Sequence, residues 1–333
     1  MSEQEPARRE TVLVTGGAGF LASWCAVRLL QAGYDVRATL RDLRRADEVR
    51  GMVGQEIDPD ARLSFSQADL TRDEGWAAAA AGCRYVLHVA SPMSYEDIKG
   101  PEAIAVATDG ALRVLRASAE AGVRRVVMTS STAAARPAAG QAEVDERAWT
   151  AVGDALDNPM EIYSQSKTRA ERGAWEYVAR LGGAMELATI LPGLIQGPVL
   201  GADYALSVEI IAQLLKGRPP FYPTPGIELV DVRDLADLHV LAMVGPAAAG
   251  ERFLATTAYT TFADMARILR EHFGARALAI PVLEDPSGPA AVEFTSAKAR
   301  DRLGWRTRSI AETIVETADS LLSAGGVELK PAD

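Results

Sequence analysis

The stretch TVLVTGGAGFLASW, Thr11–Trp24, decides the fold. It starts as a short apolar run, the composition of a buried strand, and ends in a pattern that opens a helix, Phe20–Ala32. Between them stand Gly16, Gly17 and Gly19. Glycine costs backbone entropy, so this cluster marks a place that needs its conformational freedom or its lack of bulk. A turn from strand to helix brings free N–H groups of the helix N-terminus to where a pyrophosphate can approach the backbone. Gly17-x-Gly19-x-x-Ala22 fits the dinucleotide fingerprint in its alanine form, and Thr15-Gly16-x-x-Gly19-x-x-Ala22 fits a related pattern. A tight turn without a ligand is the plain alternative. The strand before the glycines and the helix after them favour nucleotide binding.

Outward from this stretch, short apolar runs alternate with helical patterns. Thr11–Thr15, Asp35–Leu40, Leu63–Ala68, Tyr85–Ala90, Arg125–Ser130 and Met185–Leu191 read as strands. Phe20–Ala32, Asp73–Ala81, Pro101–Glu120 and Glu161–Arg180 read as helices, with Gly33 and Gly122 placed as C-terminal caps. Repeated strand–helix–strand units predict an α/β fold, a doubly wound parallel (Rossmann) sheet covered by helices on both faces. After Pro192 the rhythm changes. A Gly- and Pro-rich loop leads to a helix over Ala205–Lys216, a short strand, and helices beginning near Arg233, Thr261 and Ser309. The division expected is 1–191 as the dinucleotide-binding domain. Residues 192–333 form mainly a smaller substrate-binding lobe, with parts that can return to the first domain.

Composition narrows the function. The 333 residues carry 35 Lys and Arg against 45 Asp and Glu, a net charge of −10, so a nucleic acid or anionic membrane would need a basic patch. The pairs Arg44–Arg45 and Arg124–Arg125 are too short to form one. No uncharged apolar run reaches the ~18 residues of a membrane helix. The N-terminal MSEQEPARRE lacks the apolar core of a signal peptide. Cys25 and Cys83 are the only cysteines, in segments that read as buried. Together these predict a cytoplasmic protein with reduced thiols.

Two segments carry the chemistry. At the end of the second strand, where such folds meet the adenosine ribose, the chain reads RATLRD: Arg41, then Asp42, with Arg44 and Arg45 behind. Arginine pairs with a 2′-phosphate and an acid with a 2′-hydroxyl, so the cluster favours NADP over NAD while Asp42 argues the other way. In EIYSQSKTRAE, Tyr163 and Lys167 stand four apart, on one helical face. An ammonium beside a phenol favours the phenolate and readies it to exchange a proton with a carbonyl or alcohol oxygen. The strand end VVMTSST offers Thr129, Ser130, Ser131 and Thr132 at the sheet edge where ligands of open α/β sheets bind. His88 reads as a structural histidine. His239 and His272 are scattered on helices, and nothing suggests a metal site.

The chain resembles the extended short-chain dehydrogenase/reductase family, and within it the branch of dihydroflavonol reductases, cinnamoyl-CoA reductases and aldehyde and ketone reductases. The resemblance spans nearly the whole chain: VTGGAGFLASW, VRATLRD, ADL (Ala68–Leu70), HVASP (His88–Pro92), VVMTSS, YSQSK, LPGLIQGP, LVDVRDLADLHVLAM and LGW (Leu303–Trp305). It implies Ser131 as the residue that hydrogen-bonds the substrate carbonyl, Tyr163 as general acid, and Lys167 as the ligand of the nicotinamide ribose. It also implies a cofactor site of Gly16, Gly19, Phe20, Leu21, Arg41, Arg45, Asp69, Leu70, Ala90, Tyr163, Lys167 and Pro192, filled by NADPH or NADP+ rather than NAD. Ser91, Met93, Thr132, Tyr204 and Tyr222 are the expected substrate contacts. Tyr204, Phe221 and Tyr222 can equally be ordinary packing. Flavonoid-specific reductases carry an asparagine a few residues after the catalytic serine. Here Arg136 stands about there, which argues against a flavonoid.

The function expected is NADPH-dependent reduction of an aldehyde or ketone. A nucleotide-sugar epimerase or dehydratase, or a hydroxysteroid-type dehydrogenase, is the alternative on the same scaffold. A diphosphate substrate would call for basic residues in the C-terminal lobe, where only Lys216, Arg218 and Arg233 are candidates. A non-catalytic nucleotide sensor would lack one of Ser131, Tyr163 and Lys167, and all three are present. The partner is a small carbonyl compound, with no nucleic acid and no membrane. The chain is expected to be a monomer or a homodimer. The apolar positions Ile104, Val106, Leu112 and Leu115 would serve a dimer face or the core.

Overall fold

Alternating side chains on a strand point to opposite faces, so a strand apolar at every position needs cover on both sides. The first strand, β1 (Thr11–Val14), shows this directly: Val12 and Val14 enter one core and Leu13 the other. The computed structural model describes residues 9–91, 100, 102–137, 143–153, 156, 158–201, 204–220, 224–277, 279–284 and 292–329. In chain order the main elements are β1, α1 (Phe20–Gln31), β2 (Asp35–Leu40), α2 (Ala46–Gly54), β3 (Leu63–Gln67), α3 (Trp76–Ala80), β4 (Cys83–His88), α4 (Glu102–Glu120), β5 (Arg125–Thr129), β6 (Glu143–Val144), α5 (Pro159–Arg180) and β7 (Glu186–Pro192). Then follow β8 (Leu194–Gln196), α6 (Glu209–Leu215), β9 (Gly226–Asp231), α7 (Val232–Val244), β10 (Glu251–Ala255), β11 (Ala258–Thr261), α8 (Phe262–Phe273), β12 (Glu293–Phe294), α9 (Ala297–Leu303) and α10 (Ile310–Ser323).

Among the described residues the main sheet has seven strands in the order β10-β7-β5-β4-β1-β2-β3, every pairing parallel. Helices α1 and α7 pack together on one face, and α4 and α5 on the other. Strand order reverses between β1 and β4, which opens a crevice at their C-terminal ends. Beyond Pro192 a three-stranded sheet, β11-β9-β8, stands past that edge.

The structure departs from the sequence reading in several places. Helix α2 was not anticipated. Its sequence, ADEVRGMVG, holds two glycines, and it buries only Val49, Met52 and Val53, too little for a clear apolar stripe. The helix read as Asp73–Ala81 is only Trp76–Ala80, because Gly75 at φ +87° interrupts the chain before it. The helix read over Ala205–Lys216 is a 3₁₀ turn, Leu206–Val208, followed by α6. Strand β10 was missed, and it joins the main sheet beside β7. Helix α9 was also missed. Gly33 and Gly122 adopt φ +87° and +71°, as their capping role requires. Ile104 and Leu115 are buried within the protein, whereas Val106 and Leu112 are half-buried. Cys25 and Cys83 are buried free thiols. No described helix is long and apolar enough to cross a membrane, and no metal-binding cluster of His, Cys, Asp or Glu occurs among the described residues.

Candidate active site

The turn after β1 is held by its own backbone. Gly16 N–H donates to Thr39 Oγ1 at 2.9 Å, Gly17 N–H to the Thr39 carbonyl at 2.8 Å, and Gly19 N–H to the Gly16 carbonyl at 2.8 Å. Gly16 has φ +72°, and a Cβ on it would lie 3.0 Å from the Ala90 Cβ. One on Gly17 would lie 2.6 Å from the Ala38 Cβ. The chain thus passes too close to β2 and β4 for any side chain. Gly19 is the N-cap of α1 and offers no side-chain cap, and no acidic residue follows in the first turn. The first N–H groups of α1, beginning at the buried Phe20 and Leu21, therefore keep their positive end of the helix dipole unpartnered by side chains.

Next to this turn, Thr15 stitches β1 to the end of β4. Its hydroxyl oxygen accepts from Val89 N–H at 3.1 Å and Ala90 N–H at 3.0 Å, and lies 3.0 Å from His88 Nδ1. With both amides donating to it, the hydroxyl donates its own hydrogen bond to Nδ1, which fixes His88 as the neutral Nε2–H tautomer. Burial, and secondly the charge of Lys167, pull His88 down to about 3. Ala90 is half-buried and Ser91 is exposed just beyond it. Met93 and Tyr222 lie outside the described residues, as does Phe221.

At the end of β2, Arg41 is exposed and makes no side-chain hydrogen bond or ion pair among the described residues, while its carbonyl accepts from Gln67 Nε2. Asp42 is engaged by Arg44, whose Nη2 reaches it at 2.6 Å. These hydrogen bonds hold the Asp42 carboxyl down to about 2. Arg45 pairs with Glu48 at 2.7 Å. Asp69 accepts from both the N–H and the hydroxyl of Thr71 at 2.9 Å, which lowers its carboxyl. Leu70 is buried against Gly110.

On the other side of the crevice, β5 runs into Ser130 and Ser131. Ser131 is buried, and its oxygen accepts from Ala133 N–H at 3.1 Å, capping the short 3₁₀ turn that starts with the half-buried Thr132. Helix α5 packs against that turn. It begins at Asn158, whose side chain accepts from Glu161 N–H, with Pro159 in the first position. Tyr163 and Lys167 follow, both half-buried, with Lys167 Nζ 5.9 Å from the centre of the Tyr163 ring. The Lys167 charge also acts on His88 at the end of β4. Pro192, at the end of β7, is buried. Tyr204 stands apart in the C-terminal segment. Its hydroxyl donates to Glu209 Oε2 at 3.1 Å and its ring lies against Gly326. Arg136 lines a cavity of about 270 Å³ with Thr150, Val152, Glu161 and Gln165, beside the start of α5.

The sequence reading placed Thr15 in the glycine pattern without a role, whereas the structure has it order the β1 and β4 termini, and it gave Glu171 no role at all. Glu171 falls four residues after Lys167, so its place on the same helical stripe was visible, but nothing in the sequence shows what it meets.

Comparison with known proteins shows the family. The NAD dependent epimerase/dehydratase family matches residues 12–254. A dihydroflavonol 4-reductase of Zea mays is 36% identical over 313 residues, covering 91% of this chain and 85% of its own length. A cinnamoyl-CoA reductase 1 of Oryza sativa subsp. japonica is 34% identical, covering 96% and 93%. The crystal structure of yeast methylglyoxal/isovaleraldehyde reductase Gre2 complexed with NADPH superposes with a TM-score of 0.84 at 26% identity, over 95% of this chain and all of that one. The chain therefore belongs to the NAD dependent epimerase/dehydratase family and is an NAD(P)-dependent oxidoreductase within it.

Proposed function

We propose that the protein reduces the carbonyl group of a small aldehyde or ketone with NADPH. The observation that carries this reading is the position of Tyr163 and Lys167. They stand one turn apart on α5, which packs against the 3₁₀ turn capped by Ser131, with the Lys167 ammonium 5.9 Å from the centre of the Tyr163 ring. The glycine turn and the β2 end beside it fit a dinucleotide: an N-terminus without a side-chain cap, glycines with no room for Cβ, and the exposed guanidinium of Arg41, which has no ion pair among the described residues. Gly16, Gly19, Phe20 and Leu21 would face the pyrophosphate, and Arg41 an adenosine 2′-phosphate with Arg45 behind it. Asp69 and Leu70 would meet the adenine, and Ala90 and Pro192 would line the ribose and nicotinamide. When bound, the cofactor supplies a hydride to the carbonyl carbon.

The chain's own groups manage the oxygen. Ser131 donates a hydrogen bond to it, and Tyr163 delivers a proton as negative charge develops there. Lys167 would hold the ribose hydroxyls beside the Tyr163 ring. Ser91, Met93, Thr132, Tyr204 and Tyr222 are proposed to contact the rest of the substrate. The named relatives reduce carbonyls, which supports reduction over sugar epimerisation on the same scaffold.

Tyr163→Phe tests the assignment. It removes one hydroxyl, so the variant is expected to fold and bind NADPH like wild type. NADPH oxidation with a panel including isovaleraldehyde, methylglyoxal and aromatic ketones should fall by at least about 10²-fold. Near wild-type turnover would mean that another group donates the proton.

A further inference from the structure

Glu171 lies one turn beyond Lys167 and two beyond Tyr163 on α5, and its side chain is fully buried. A buried carboxylate is costly unless its charge and both oxygens are satisfied. Here they are. Oε2 accepts from Ser130 Oγ at 2.7 Å and Arg252 Nη2 at 3.2 Å. Oε1 accepts from Thr189 Oγ1 at 2.7 Å, Arg252 Nε at 2.8 Å and Trp175 Nε1 at 3.4 Å. Arg252 is satisfied in turn. Its Nη1 donates to the carbonyls of Glu146 at 2.7 Å and Ala148 at 2.6 Å, and its guanidinium lies 3.6 Å from the centre of the Trp149 ring. One carboxylate thus ties α5 to the end of β5, to the middle of β7 and, through Arg252 of β10, to the chain at 146–149.

The residue bonded to Glu171 at the end of β5 is the immediate neighbour of Ser131. Ser130 is further pinned by its N–H, which donates to the Ile190 carbonyl at 2.7 Å. Ser131 therefore cannot shift against α5 without breaking the Ser130–Glu171 bond. Eight residues separate Glu171 from Tyr163, about 12 Å of rigid helix at 1.5 Å per residue. Stability alone does not account for such a cluster, since well-packed apolar side chains serve a core as well as a buried ion pair does.

We propose that Glu171 is a positioning residue. Its cage of Ser130, Thr189 and Arg252 fixes the register of α5, and so the separation between the Ser131 hydroxyl and the Tyr163 phenol. The proposal rests on the reading of Ser131 and Tyr163 as the groups that meet the carbonyl oxygen. Ser130→Ala, Glu171→Gln and the double variant test it, assayed well below their melting temperatures with the panel carbonyl that wild type reduces fastest. The expected result is a kcat about tenfold lower in Ser130→Ala and about a hundredfold lower in Glu171→Gln. NADPH affinity, read by fluorescence quenching, should stay within twofold. The double variant should be no slower than Glu171→Gln, because Ser130 acts through that carboxylate.

A stabilising role alone would lower the melting temperature and leave the kcat of the folded protein unchanged, and independent roles would give losses that multiply. Either result overturns the proposal. Ser130→Ala removes a single hydroxyl, so its kcat decides the matter even where Glu171→Gln does not fold, and a value within twofold of wild type refutes it. The Tyr163→Phe assay separates the two readings. An inactive Tyr163→Phe beside a fully active Ser130→Ala sinks only this proposal, whereas an active Tyr163→Phe sinks the catalytic reading beneath it.

Discussion

Arg41 is where a single side chain is proposed to choose the cofactor. The three arginines of RDLRR, Arg41, Arg44 and Arg45, are not equivalent in the folded protein. Arg44 is spent on Asp42 and Arg45 on Glu48, which leaves Arg41 exposed and without an ion-pair partner among the described residues. Arg44 also answers the objection that Asp42 raises, because it offsets a charge that would repel a phosphate. A guanidinium grips phosphate through paired, charge-assisted hydrogen bonds of about 1.5–3 kcal/mol each, and NADH offers no such group. Wild type is therefore expected to favour NADPH by at least about tenfold in kcat/KM, a difference of only ~1.4 kcal/mol. Arg41→Ala should erase most of that preference by raising the KM for NADPH. Steady-state kinetics with both cofactors checks this, and a wild type that prefers NADH would show that Arg41 does not read the 2′-phosphate. The sequence told which residue types gather at this strand end. It did not tell which acid each arginine meets, since that depends on local backbone turns such as the one Asp42 caps.

At the scale of elements, the glycine turn between β1 and α1 was legible because its demand is steric and local. Gly17→Ala would place a methyl 2.6 Å from the Ala38 Cβ, so α1 or β2 must move. The expected cost is about 1–3 kcal/mol of stability, with at least a tenfold loss of NADPH affinity as the turn shifts. Gly33→Ala is the control: it has open space around it but φ +87°, so backbone strain of about 1–2 kcal/mol is its whole penalty and cofactor affinity should not change. Thermal melts and NADPH titrations of the two variants separate close approach from backbone strain. Other elements were hidden for equally physical reasons. Strand β10 (ERFLA) follows β7 after 58 residues of different character, and only tertiary packing returns it to the main sheet beside β7. Likewise Tyr163 and Lys167 were visible from their spacing. The partners of Glu171 come from β5, β7 and β10, and no spacing in the sequence brings these together.

The whole molecule carries a pH dependence set by two histidines that never meet solvent. His88 lies in β4, and its Nδ1 accepts a hydrogen bond from the Thr15 hydroxyl. His239 lies in α7, its Nδ1–H donating to the Leu235 carbonyl at 2.8 Å while Nε2 lies 2.8 Å from Thr129 Oγ1 and accepts from it. Both rings are neutral in these arrangements. Burial holds His239 down to about 4, and burial with the Lys167 charge holds His88 down to about 3. In the unfolded chain both would titrate near 6.5. At these two rings the unfolded state thus binds more protons than the folded one between about pH 6.5 and 4, so their contribution is full above 6.5 and falls as pH drops through this window, while Glu146, Glu228, Asp234 and Asp237, whose carboxyls burial raises, oppose the decline. By pH 5 each histidine should have withdrawn about 2 kcal/mol, a large share of a typical domain's stability. Carboxylates such as Asp42 and Asp69, held low by their hydrogen bonds, add their losses below pH 4 and do not account for a decline that begins at 6.5. His88→Asn keeps a side chain able to hydrogen-bond Thr15 and removes the titration. Denaturant midpoints measured from pH 8 to 5 should show a visibly flatter decline in this variant than in wild type. Equal slopes would mean that His88 already takes up its proton in the folded protein near its ordinary pH, and that the Thr15 hydroxyl does not hold it neutral.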